Sequence, residues 1–127
     1  MKICVSSGGQ EQNAGVDSRF GRCFNFVIYD TTTNQYTFFA NRGINSPHGA
    51  GVAAAQQIID EKVDAVITGN MGPNAMELIK AAGIEIYSIS GGTVEGAVDL
   101  FLKGRLEKIN QAAPAHSGMG QQGRRGW

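Results

Sequence analysis

A chain of 127 residues with 11 basic and 11 acidic side chains can bury a core as one domain, and it has no net charge to draw in nucleic acid or an acidic substrate. Its two cysteines, Cys4 and Cys23, lack CxxC spacing, and no segment approaches the about 20 apolar residues that span a bilayer. With no apolar run for a secretory leader in MKICVSSGG, a cytoplasmic protein with reduced thiols, off the membrane, is expected.

Ile3 to Ser6 is a short apolar run that reads as a buried strand and ends in Ser-Ser-Gly-Gly. A polar stretch follows to about Arg22. Phe24, Phe26 and Ile28 then alternate with Asn25, Val27 and Tyr29, the content of a second strand. Asp30 to Gln35 is turn chemistry, and Tyr36 to Ala40 completes a hairpin. Helical spacing takes over at Val52, Ala55, Ile58, Ile59 and Val63. It returns at Ala75, Leu78, Ile79 and Ala82, and again at Val94, Ala97, Val98, Phe101 and Leu102. Between these helices lie the short strands Ala65 to Thr68 and Ile84 to Tyr87. Pro73 suits the first position of the second helix, and Gly83 suits its end.

The order β-β-β-α-β-α-β-α, with right-handed crossovers, predicts an α/β fold of three layers. Its five-stranded mixed sheet has the order 3-2-1-4-5 with strand 2 antiparallel, which is the strand order of the ribonuclease H-like fold. Residues 1–110 form this domain, and 111–127 form a Gly-rich basic tail. Strands 1, 3, 4 and 5 then share one carboxyl edge, where ligands of open α/β sheets bind. The loops 6–22, 41–51, 69–73 and 88–93 gather there.

Three of these loops lead into helices as NSPHGAG, GNMGPN and SGGTVEG. Helix starts present unpaired N–H groups with partial positive charge, so three of them, with Arg19, Arg22 and Arg42, would suit an anion. For any single loop, glycine for a tight turn explains the composition equally well. The same edge carries Cys23, His48 and Met71, with His116 and Met119 in the tail, whose soft or imidazole donors suit copper, zinc or iron–sulfur chemistry. Each has an ordinary structural reading: Cys23 as a packed thiol, Met71 as core, His48 as a helix-cap partner. Cys4 reads as core.

Nuclease chemistry is excluded, because it needs clustered carboxylates. Cys4 stands where an acid would be required, Asp30 and Asp64 fall at the opposite end of the sheet, and Asp17 is alone at the carboxyl edge. The chain contains no GxxxxGK[ST] and no G-x-G-x-x-G after a strand. No enzymatic activity is expected. The tail, with Arg124 and Arg125 and no acid, reads either as a solvated end or as a lid.

The segments DSRFGRCFNFVIYD, HGAGVAAAQQIIDEKVDAVITGNMGPNA and AAGIEIY resemble, as a set, the dinitrogenase iron–molybdenum cofactor biosynthesis family over residues 1–108. Within that family the chain is most similar to the orange proteins of sulfate-reducing bacteria. The resemblance implies a ribonuclease H-like fold without nuclease activity and a role in carrying metal–sulfur clusters. The expected cargo is a molybdenum–copper sulfide cluster held non-covalently, with an iron–molybdenum or iron–sulfur cluster as the alternative. Donor or acceptor proteins for the cluster are the implied partners. Carried over by motif, the binding residues are Arg19, Phe20, Gly21 and Arg22; His48, Gly49 and Gly51; and Thr68, Gly69, Asn70, Met71, Gly72 and Pro73. The loop residues Gly91, Gly92 and Thr93 join them as a third helix start. Cys23, His48 and Met71 are the candidate metal ligands. A regulatory module that docks a partner on the same edge is the other function this pattern allows.

Overall fold

The computed structural model describes residues 1–46 and 49–109. The strands are β1 (Lys2–Ser7), β2 (Asn25–Asp30), β3 (Gln35–Ala40), β4 (Ala65–Thr68), β5 (Glu85–Ser88) and β6 (Glu107–Lys108). The helices are α1 (Ala50–Asp60), α2 (Pro73–Ala81) and α3 (Val94–Leu102). The sheet runs β3-β2-β1-β4-β5-β6. β1 pairs in parallel with β4, and β4 with β5, while β2 is antiparallel to both of its neighbours. This is the expected mixed ribonuclease H-like sheet, extended by one strand.

The sixth strand was not expected from the sequence. It has two residues, both charged and exposed, so no apolar periodicity announces it. Its antiparallel pairing to β5 sets Tyr87 opposite Lys108 and Ser88 opposite Glu107. Lys108 Nζ pairs with Glu85 Oε2 at 2.9 Å, and Tyr87 donates its hydroxyl to Glu85 Oε1 at 2.7 Å. A short charged strand of this kind blunts a sheet edge. A smaller correction concerns Phe24, which lies one residue before β2 and is 62% exposed.

Alternate residues of each strand feed two cores. Cys4, Phe26, Ile28, Val66 and Ile86 face α1 and α2, meeting Ala54, Ala55, Ile58, Ala75, Met76 and Ile79. Ile3, Val5, Val27 and Ile67 face α3, meeting Val94, Ala97 and Val98. β1 is buried from Ile3 to Ser7 because helices cover both its faces. Each large aliphatic side chain sealed in this way contributes about 1.5–3 kcal/mol. A slip of one residue would exchange the two faces, so the register is firmly set. With the register set, the carboxyl ends of β1, β3, β4 and β5 share one edge.

Candidate functional site

At that edge the loop after β1 folds back across the loop after β4. Asp17 N–H donates to Ser6 O (2.9 Å), and Ser6 Oγ donates to Asp17 O (2.6 Å). Asn70 N–H donates to Ser18 O (2.7 Å), and Phe20 N–H donates to Asn70 O (3.2 Å), a short parallel bridge between Arg19 and Asn70. Only glycine allows so close an approach at position 69. A Cβ there would stand 2.6 Å from Ser18 Cβ and 2.8 Å from the Ser18 carbonyl oxygen. Gly21 is held in the same way, since its Cβ would fall 2.8 Å from Gly51 N. Two glycines of the motifs are therefore needed to join loops.

The joined loops leave a cleft of about 300 Å³ between the starts of α1 and α2. Of the expected binding residues it gathers Gly21, Arg22, Gly49, Gly51, Gly72 and Pro73, and it adds Ala50, Val52, Asn74 and Ala75. Among the described residues no side chain caps either helix start, and neither first turn carries an acid. The first N–H groups of a helix have no intrahelical acceptor, so both positive ends are left to the cleft. Arg22 lines it, fastened by Nη1 to the carbonyl oxygens of Ile44 (2.8 Å) and Ser46 (3.2 Å). A guanidinium has further donors beyond Nη1 to present to an anion.

The third helix start differs. Thr93 Oγ1 accepts from Gly96 N–H (3.0 Å), Val94 N–H donates to Ala14 O (2.9 Å), and Glu95 N–H donates to Gln12 O (2.8 Å). Gly91 and Gly92, both at positive φ, shape the turn into it, and Gly92 O accepts from Val16 N–H. The N–H groups of the first turn of α3, at Val94, Glu95 and Gly96, are thus taken by the chain's own carbonyls and hydroxyl, and Gly91, Gly92 and Thr93 do not line the cleft between α1 and α2.

Of their two readings, the soft atoms take the structural one. Cys23 is fully buried and donates its thiol to Phe20 O (3.3 Å). Burial pushes this thiol up to about 12. Met71 is 2% exposed and packs with Phe20, Phe26 and Ala75 in the α1–α2 core. Thr68 is buried against the Ser6 hydroxyl (2.8 Å), and Phe20 packs on Phe26 at a ring separation of 5.4 Å. These residues shape the loops from beneath. Arg19 is exposed, and its Nε pairs with Asp17 Oδ1 at 3.2 Å; this hydrogen bond, then the carboxylate's charge, raises its pKa further. Arg42 is exposed, with its N–H bound to Gln57 Oε1 (3.1 Å). His48 and the tail residues His116, Met119, Arg124 and Arg125 lie outside the described residues. Among the described residues no three His, Cys, Asp or Glu side chains gather to hold a metal ion.

Sequence reasoning missed two buried amides that position the site. Asn41 Nδ2 donates to Gly21 O (3.0 Å) and Cys23 O (2.9 Å), and its Oδ1 accepts from Gly43 N–H (3.0 Å). Gln57 Nε2 donates to Ala40 O (2.8 Å). The signal for Gln57 was present: a polar residue inside the apolar stripe of α1, which must satisfy its amide there.

The family model for the dinitrogenase iron-molybdenum cofactor matches residues 1–104. The apo form of the orange protein from Desulfovibrio gigas superposes with a TM-score of 0.83 at 34% identity, over 86% of this chain and 92% of that one. A Thermotoga protein described provisionally as NifB superposes with a TM-score of 0.80 at 35% identity, over 90% and 97%. An uncharacterised protein of Methanocaldococcus jannaschii is 32% identical over 100 residues, which is 76% of this chain and 85% of its own length.

Proposed function

This chain belongs to the dinitrogenase iron–molybdenum cofactor family, and we propose that it is a non-enzymatic carrier that captures an anionic metal–sulfur cluster in the cleft between α1 and α2. The single observation behind this reading is the pair of uncapped helix starts facing one cleft beside Arg22. A thiomolybdate-type cluster is an anion with a sulfide surface. N–H groups and a guanidinium answer its charge, and the open backbone at Gly49 and Gly72 lets it come close.

The capture is non-covalent on this reading. A thiol with a pKa near 12 is no thiolate at neutral pH, and the Met71 thioether is enclosed by core. The similarity to the orange protein favours a molybdenum–copper sulfide cluster over an iron–molybdenum or iron–sulfur one. Arg19, outside the cleft on the same loop, acts as a steering charge.

Delivery needs an acceptor protein. Phe24, exposed beside Arg22 at the carboxyl edge, is a suitable contact for one. Among the described residues no helix is long and apolar enough to cross a membrane, and a cytoplasmic carrier fits this reading.

The test is anaerobic reconstitution of the apo-protein with tetrathiomolybdate and Cu(I), then desalting and metal analysis. A charge-transfer band that co-elutes at fixed Mo:Cu ratio, and is lost in Arg22→Ala, is the expected result. If both metals wash through the intact protein, the molybdenum–copper reading fails.

A further inference from the structure

A second cleft opens at the carboxyl edge, on the α3 side of the sheet. It encloses about 440 Å³ and begins at Gly69, so the 69–73 loop separates it from the cleft between α1 and α2. Arg105 and Glu107 both line it. They stand two residues apart, on either side of the bend at Leu106 that leads into β6.

These two charges do not pair. The charged residues on either side of them in sequence do: Lys103 with Asp99 at 3.0 Å, and Lys108 with Glu85 at 2.9 Å. Arg105 and Glu107 make no side-chain hydrogen bond or ion pair with any described residue or with each other. A cation and an anion that share a cleft without meeting complement a ligand that carries both signs. The rest of the wall narrows the ligand further. Ile89, Leu100 and Leu106 are half-buried aliphatic side chains, and Ser88 and Ser90 add hydroxyls. Placed polar groups fix a ligand's orientation, and the aliphatic side chains receive its apolar part.

We propose that this cleft binds a small apolar α-amino acid as its zwitterion. The carboxylate pairs with the Arg105 guanidinium and the ammonium with the Glu107 carboxylate. The side chain rests on Ile89, Leu100 and Leu106. The site shares no lining residue with the cluster cleft and does not depend on the cluster reading.

The test is a titration of the full-length, isotopically labelled chain with L-leucine, followed by amide chemical shifts. Saturable shifts are expected at Ser88 to Ser90 and Arg105 to Glu107. Leucinamide, which lacks the carboxylate, and N-acetyl-leucine, which lacks the ammonium, should each bind at least about tenfold more weakly. Arg105→Gln should lower affinity for L-leucine by a similar factor without lowering it further for leucinamide. Glu107→Gln should do the same with respect to N-acetyl-leucine. The spectrum of each variant reports whether it is folded. No saturable shift at millimolar L-leucine overturns the proposal. So does equal binding of N-acetyl-leucine, or full competition by sulfate, either of which would leave a bare anion site.

Discussion

The starts of α2 and α3 are both reached through glycine-containing loops at the same sheet edge, yet the chain leaves one open and closes the other. At α3 the Thr93 hydroxyl and two carbonyls from the 12–14 segment take the first N–H groups. At α2 a glycine stands in the capping position, a proline follows it, and among the described residues no side chain answers. The local composition is alike and the chemistry is opposite. Glycine before a helix therefore does not mark an anion site. What marks one is a helix start from which the protein withholds its own acceptors.

The harshest way to break the contrast is to separate the loops that create it. Gly69→Ala places a Cβ 2.6 Å from Ser18 Cβ, against backbone that cannot swing aside. It should cost about 1–3 kcal/mol in chemical denaturation, and cluster retention should fall with it.

Next in size is the conversion of the open start into a closed one. A Cβ at Gly72 meets no atom within 4 Å, and the backbone there is extended, so Gly72→Asp fits without strain. Its carboxylate would cap α2, adding about 0.5 kcal/mol of stability. The same carboxylate would repel the cargo, and thiomolybdate retention should drop at least about tenfold. A variant that is more stable and retains just as much would sink the idea that these N–H groups hold the anion.

The converse change, Thr93→Ala, should lower stability by about 1 kcal/mol. Retention should not change, because the α3 start, even with Gly96 N–H released, does not line the cluster cleft. Reduced retention at full stability would show that the third helix start belongs to the site after all.

The last effect, absent at neutral pH, is a pH dependence from beneath the loops. A thiol raised from 9.0 to about 12 keeps its proton in the fold where the unfolded chain has lost it. Its contribution is complete below pH 9 and declines between pH 9 and about 12. Denaturation midpoints across that range should fall in the wild type and fall less in Cys23→Ala. At neutral pH a thiol reagent should modify Cys23 only as fast as the protein opens.

The three helices and the central strands were legible because their apolar residues repeat at the spacing of the element and bury in that same pattern. Position at the carboxyl edge followed from strand order alone. β6 was not legible, because two charged residues carry no period and owe their strand to a partner 20 residues earlier. The state of each helix start was hidden for a similar reason. The acceptors that close α3 come from Gln12 and Ala14, about 80 residues upstream, and no local motif encodes such a meeting. The sequence left Cys23 and Met71 open between core and cleft because pattern fixes where a residue lies along the chain, but not which way a loop side chain turns.

The burial of both thiols has one more consequence. A container whose own thiols are sealed from solvent does not share the fate of what it carries. Air or a thiol oxidant would bleach a bound metal–sulfur cluster while leaving Cys4 and Cys23 intact. The emptied protein would then be refilled without reduction of its cysteines, as a reusable vessel and not a sacrificial one.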